Sequence, residues 1–336
     1  MSTPIERAAG LTGDPLRALL PAIAAGLGAY PYDQYRHYPA RTPRDGRAPW
    51  EAYLLARLER MAADPDWSFF TRSDGPTPLL LGARSAAWDR ENVGVGAASL
   101  SALYCPDGPD LRRRTGSLLR ECLAALAAAG VTFVSARVNG DQLDVIHALE
   151  DAGFRYFETA VWPVAPLTGT APARDPRVRL LVDADIERAM QLAADHGYRG
   201  SHFLRDGGFS REQVRRLNGA WIRTAWQAGE PIAVIESESG TDIAGVLAFR
   251  LDPELSSHLG STYGRMRFLA VDAEARRQGL GRALFTGAMS LLRDMGAEHA
   301  DSGYTTKNHL SARLHSQAGF LTAYEEATLH LWLSPP

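Results

Sequence analysis

The sequence predicts a mixed α/β fold in two tandem copies, each a central, mostly antiparallel sheet with flanking helices. Strand-type and helix-type patterns alternate along most of the 336 residues, and such alternation requires sheets covered by helices. Landmarks also recur at one offset. Gly130 and Gly296, each closing a helical stretch, stand 166 residues apart, as do the glycines of Ala152-Gly153-Phe154 and Ala318-Gly319-Phe320. Finally, Thr168-Gly-Thr-Ala-Pro-Ala-Arg-Asp-Pro176 reads as a linker. The expected organisation is a helical N-terminal extension over 1–70, a first copy over 71–166, a linker over 167–177 and a second copy over 178–336.

In the extension, Leu16, Leu19, Leu20, Ile23 and Leu27 recur at helical spacing, and Pro49 to Ala63 is amphipathic through Tyr53, Leu54, Leu58 and Met61. Between them the run Tyr30-Pro-Tyr-Asp-Gln-Tyr-Arg-His-Tyr38 either wraps an apolar groove or lines a cleft, the first being the commoner use of such a segment. Strands are expected at Ser68–Arg72, Leu79–Ala83 and Val93–Tyr104, a helix over Leu111–Ala129, a strand over Val131–Val138, a helix over Gln142–Ala152 and a strand through Tyr156 to Val164. The second copy restarts with strand Val178–Val182 and helix Asp185–His196. A polar, glycine-broken segment, 198–208, follows. Ser210 and Gln213 then form a capping-box signature for a helix reaching Ala228, with Val214, Leu217, Trp221 and Ala225 near one face. Strands Pro231–Ser237 and Ile243–Leu251 flank a hairpin signal at Ser239-Gly-Thr-Asp242. Strand Met266–Val271, a glycine turn, a helix from Leu280 to Gly296, strand Glu298–Thr305, helix Asn308–Ala318 and a final strand pair ending in Leu329-His-Leu-Trp-Leu333 complete the chain.

The formal charge of -3 and pI of about 6.3 supply no field that attracts nucleic acid or an anionic membrane. Cys105 and Cys122 are too few for a disulfide framework or a cysteine zinc site, and no metal-ligand spacing is present. Leu16 to Ala29 carries Arg17 and Pro21, which fits neither a signal peptide nor a span, so a cytoplasmic protein is expected.

The chemistry concentrates in Arg276-x-x-Gly279-x-Gly281. Directly after a strand, a glycine turn that opens a helix aims unpaired backbone N–H groups at one spot and lets a diphosphate approach without a Cβ in the way. This pattern resembles the acyl-CoA loop of the GNAT N-acetyltransferases. The likeness extends through Asn308-x-x-Ser-Ala312-x-Leu314-His315-x-x-x-Gly319-Phe320, similar to that family's acceptor-side helix and turn, and spans about 178–333. A narrower resemblance is to the dTDP-fucosamine acetyltransferase group, which acetylates amino groups of nucleotide-linked sugars. It rests on Ala87-Trp-Asp89, Ala136-Arg-Val138 with its following helix, Ser201-His-Phe203, Trp221-Ile-Arg223 and the terminal His-Leu-Trp-Leu. It covers roughly 260 residues by normal domain sizes, and leaves the extension unexplained. In the first copy the same offset sets Asp110, Arg113 and Thr115 opposite Arg276, Gly279 and Gly281. That copy is expected to be degenerate and to bind no diphosphate.

The resemblance implies acetyl-CoA as co-substrate and a small-molecule amine as acceptor, favouring an amino sugar on a nucleotide carrier. An antibiotic, polyamine or protein amine is the alternative acceptor, a non-catalytic CoA-binding regulator the alternative function, and a homodimer the arrangement held open. It further implies that backbone groups of Phe268, Leu269, Ala270 and Val271 bond the pantetheine arm and thioester, and that N–H groups of Arg277, Gln278, Gly279, Leu280, Gly281 and Arg282 hold the diphosphate. The Arg276 and Arg277 side chains either reach phosphates or are surface charges, and Asn308 either contacts the cofactor or caps its helix. His315 occupies the position of the tyrosine that lies beside the sulfur in this family. As an acid it competes with Tyr304 and with water. For the base, His202, Asp206, Glu236 and Asp301 are candidates, with a water chain as the alternative.

Overall fold

A computed structural model describes residues 13–27, 35–41, 48–72, 77–86, 91–92, 94–168, 174–198, 200–238, 240, 242–275 and 277–334. Ala87-Trp-Asp89, Tyr30–Gln34, most of the 168–176 run and Arg276 lie outside them. The chain divides into two compact units: Met1–His37, Thr42–Ala160 and Tyr324–Pro336 form the first, Tyr38–Arg41 and Val161–Ala323 the second.

In the first unit, helices α1 (Gly13–Ala25) and α2 (Pro49–Ala63) precede strands β1 (Trp67–Arg72), β2 (Leu79–Ala86) and β3 (Ala97–Tyr104), then α3 (Leu111–Ala128), β4 (Phe133–Asn139) and α4 (Leu143–Asp151). β1, β2 and β3 pair antiparallel in turn, and β3 pairs parallel to β4 across the α3 crossover. Leu79-Leu-Leu81 is a continuous apolar run because β2 is covered on both faces. Leu79 and Leu81 enter the core under α3 and α4, while Leu80 enters the one built with α1 and α2. Complete burial of such a side chain contributes about 1.5–3 kcal/mol. Both cysteines are free and buried, Cys105 and Cys122 each with a thiol pushed up to about 12 by that burial.

The second unit holds β6 (Val178–Leu180), α5 (Ile186–His196), α6 (His202–Asp206), α7 (Arg211–Gln227), β7 (Ile232–Glu236), β8 (Ile243–Leu251), α8 (Pro253–Leu259), β9 (Tyr263–Val271), α9 (Leu280–Asp294), β10 (His299–Ser302), β11 (Tyr304–Thr305) and α10 (His309–Gln317). Successive pairs from β6 to β9 are antiparallel, and β9 pairs parallel to β10. Residues of β7 alternate between two cores: Ile232 and Val234 pack with α5 and α7, Ala233 and Ile235 with α9. The expected capping box is present, with Gln213 N–H donating to Ser210 Oγ at 3.2 Å and Ser210 N–H to Gln213 Oε1 at 2.8 Å. Two elements depart from the sequence reading. The polar 198–208 segment contains the short helix α6, and Trp221 is 38% exposed, off the buried stripe of Val214, Leu217 and Ala225. Helical spacing alone does not separate the edge of an apolar face from its centre.

The recurring glycines have one physical cause. Gly130, Gly153, Gly296 and Gly319 all have left-handed φ, from 78° to 96°. After each, the next residue's N–H bonds back into the preceding helix, as Val131 to Leu126 O and Ala297 to Leu292 O, both at 3.0 Å. This is the Schellman ending that glycine adopts without steric cost. Adding 166 carries α4 onto α10, and it carries β5 (Arg155–Pro166) onto β12 (Leu321–Trp332). The ends of these last two strands are reciprocally placed. Val164–Pro166 pair antiparallel with β10 in the second unit, whereas Glu326–Trp332 pair antiparallel with β4 in the first.

Candidate active site

Between β9 and α9 the chain turns through Arg277 at φ 66° and Gly279 at φ 77°. A left-handed arginine costs about 1–2 kcal/mol, and such strain collects where function demands it. Gly279 is the N-cap of α9 and provides no side-chain acceptor. By contrast, Ser210, Asp252 and Asn308 cap α7, α8 and α10 with their own oxygens. The first turn of α9 therefore keeps its N–H groups and dipole for an external anion. A Cβ built on Gly279 meets nothing within 4 Å, and one on Gly281 meets only Val271 Cγ2, at 3.7 Å. Packing within the chain would tolerate a side chain at 281. Its absence leaves a cradle that fits a diphosphate. A groove of about 430 Å³ continues from this turn along Arg282 and Thr286 to Arg174 and Pro176.

Beside the loop, β9 has an open edge. Its ladder to β10 ends at Met266↔Ser302, so Arg267–Val271 have no partner in β10. On the other side, the register with β8 jumps from Ala248↔Phe268 to Phe249↔Met266 and leaves Arg267 as a bulge. Bulges re-aim strands beside active sites. The divergence leaves backbone groups of Phe268–Val271 unpaired on the side facing away from β8.

Tyr304 and His315 are brought together, with ring centroids 4.9 Å apart. Tyr304 is half-buried, while His315 is 3% exposed and packed also against Phe285 and Phe320. His315 Nδ1–H donates to Ser311 O at 2.7 Å, leaving Nε2 as the acceptor nitrogen, buried and without a partner. Burial holds the imidazole below its ordinary pKa of 6.5, outweighing the Ser311 carbonyl. His315 is thus neutral near pH 7, without a proton at Nε2. Because the unfolded chain takes up a proton near pH 6.5 that the folded one refuses, stability held above that pH is lost on acidification. His315→Phe is expected to flatten the fall in Tm between pH 7.5 and 5.5, which thermal melts across that range will show.

The other expected residues are dispersed. His202 opens α6 and is buried, its ring 4.0 Å from that of Phe203. Asp206 accepts from the Gly208 N–H at 3.1 Å, a local turn contact. Glu236 is bound to Arg179 at 2.8 Å on the outer strand pair. Asp301 is 1% exposed, and its carboxylate is committed to Arg265 and Tyr38. Asn308 Oδ1 accepts from the Ser311 N–H at 3.2 Å and so caps α10. The sequence reading did not single out Arg174 or Thr286 along the groove, since neither carries a motif. It placed Trp221 near the apolar face of its helix, and the ring stands 5.9 Å from that of Phe268 under α7.

In the first unit the corresponding helix start is different. Asp110 is the N-cap of α3 at φ 59°, and its carboxylate accepts from Arg113 at 2.9 Å. The negative charge that an anion would bring is already supplied by the chain.

Residues 201–320 match the acetyltransferase (GNAT) family. No curated protein matches the sequence. Among solved structures, a GCN5-related N-acetyltransferase from Sphaerobacter thermophilus is similar with TM-score 0.58 over 95% of this chain and 94% of that one, at 15% identity. A tandem GNAT protein from the clavulanic acid biosynthesis pathway gives 0.53 over 97% and 98%, at 14% identity. The glucosamine N-acetyltransferase region of a fungal multi-domain GH3 β-N-acetylglucosaminidase gives 0.60 over 98% of this chain and 39% of that one, at 13% identity. These likenesses establish a tandem GNAT fold.

Proposed function

We propose the acceptor and the roles of the site residues from the premise that this protein is an acetyltransferase whose residues 201–320 carry the GNAT family's domain. Acetyl passes from acetyl-CoA to a primary amine of a small molecule, an amino sugar on a nucleotide carrier, in the cytoplasm. The observation that carries acyl-CoA use is the cradle at Gly279 and Gly281, where side chains are missing although the chain's own packing would admit one at 281. The amino-sugar acceptor is supported by the narrower sequence resemblance to the dTDP-fucosamine acetyltransferase group. A protein of the same fold is described as a glucosamine N-acetyltransferase, so the architecture is compatible with a sugar amine.

In this reading, backbone N–H groups of Arg277–Arg282 hold the diphosphate, and the Arg276 and Arg277 side chains add positive charge. The open edge Phe268–Val271 bonds the pantetheine arm and orients the thioester, which supplies the activated acyl group when bound. Holding that carbonyl against the amine converts an encounter into a local step. A water chain carries away the amine's proton, and Tyr304 gives one to the departing sulfur. His315, neutral and packed on Tyr304, fixes the phenol ring. Asn308 holds α10 in place beneath that pair.

Incubating the protein with acetyl-CoA and a panel of amines while following free thiol tests the assignment. Thiol release is expected to be fastest with an amino sugar on a nucleotide. Release with a polyamine or aminoglycoside alone would overturn the acceptor, and CoA binding without release on any amine would leave a binding protein.

A further inference from the structure

Just before β9 and β10 diverge, a partly buried ion pair joins them. Arg265 and Asp301 are register partners, followed only by Met266↔Ser302. Arg265 Nε lies 3.0 and 3.1 Å from the two Asp301 oxygens and Nη2 lies 2.6 Å from Oδ2. A second donor comes from far away in sequence, as Tyr38 OH donates to Asp301 Oδ2 at 3.0 Å. Tyr38 begins the Tyr38–Arg41 segment that belongs to the second unit. Its ring stacks on Tyr263 at 5.6 Å, Tyr263 OH donates to Pro39 O, and Arg41 N–H donates to Leu259 O at 2.9 Å. Arg41 also reaches Glu298 at 2.5 Å, and Glu298 accepts from Thr262 N–H at 2.9 Å and Ser261 Oγ–H at 3.0 Å. The segment thus ties the start of β9 to the start of β10.

Enclosing a carboxylate and most of a guanidinium is an inefficient way to gain stability, since apolar groups of the same volume serve as well. What the bidentate pair adds is fixed direction. The position makes direction matter. Arg267, the bulge, follows Arg265 by two residues and opens the thioester-binding edge, while Tyr304 follows Asp301 by three. We infer that Tyr38, Arg265 and Asp301 are positioning residues that fix the divergence of β9 and β10, and with it the separation of the Tyr304 hydroxyl from the acyl group. This rests on the acyl-transfer reading above.

The test uses the full chain and an amine the wild type acetylates, measuring kcat, KM, CoA affinity and Tm for Tyr38→Phe and Asp301→Asn. A misplacement near 1 Å can cost about 100-fold in rate, so Asp301→Asn should lower kcat about 10- to 100-fold. Tyr38→Phe, which keeps the stacked ring, should lower it about 3- to 10-fold by the same argument. CoA affinity should stay within about twofold because the diphosphate turn is untouched. If Asp301→Asn does not fold, Tyr38→Phe still decides. A lowered Tm with wild-type kcat per folded molecule in Tyr38→Phe would overturn the positioning role alone, whereas a wild type inactive on every amine would overturn acyl transfer and this inference with it.

Discussion

Gly279→Asp is expected to abolish acetyl-CoA binding, with Kd rising by at least about 100-fold. Three effects act in the same direction. An L-residue at φ 77° is strained by about 1–2 kcal/mol, its Cβ enters space that nothing in the chain occupies, and its carboxylate stands beside a diphosphate. Two like charges about 4 Å apart at a protein surface repel by about 4 kcal/mol, which alone exceeds the expected loss. Titration calorimetry with CoA measures it, and a melt confirms that the variant is folded. Arg113→Asp at the corresponding helix start of the first unit is the control, expected to leave binding unchanged. Equal loss in both would mean that the first unit also binds the cofactor.

Tyr304→Phe should lower kcat by about 100- to 10,000-fold, the usual contribution of a positioned proton donor, with CoA affinity preserved. The benefit depends on the hydroxyl being oriented toward the departing sulfur. His315→Phe keeps a ring against Tyr304 and should retain kcat within about tenfold, because a neutral imidazole with its only proton bound to Ser311 O contributes shape rather than a proton. Steady-state kinetics on both variants decide between them. A dead His315→Phe beside an active Tyr304→Phe would return the role to the histidine.

The tandem plan was legible because its punctuation is conformational. Four glycines hold the left-handed φ that ends a helix, and that requirement leaves the same residue at the same spacing in both copies. The glycine turn was legible for a similar reason, as Gly279 needs its φ and Gly281 has no side chain where one would fit. The pairing of His315 with Tyr304 was less accessible to sequence reasoning. His315 and Tyr304 are both reasonable by residue type, and only the enclosure of His315 by Phe285, Tyr304 and Phe320 separates them. Nothing local marks Asp301 as the partner of Tyr38, 263 residues away, so it reads from sequence as a free carboxylate. Helix α8, capped by Asp252 with Pro253 in its first turn, has a start signal but only seven residues of periodicity, too short to stand out.

The reciprocal placement of the two closing strands bears on how this chain can be divided. A cut at residues 168–176 gives two fragments of sensible length, each missing a strand its sheet requires. The N-terminal piece would expose the β4 ladder that Glu326–Trp332 normally fill, and the C-terminal piece would expose the β10 ladder filled by Val164–Pro166. Unpaired ladders of this kind invite aggregation. Expressed apart, the halves should precipitate; expressed together, each carries the strand the other lacks and complementation becomes the natural assay. The same interlock gives a copy that has lost its glycines a continuing reason to be kept, since deleting it removes a strand from the unit that retains them.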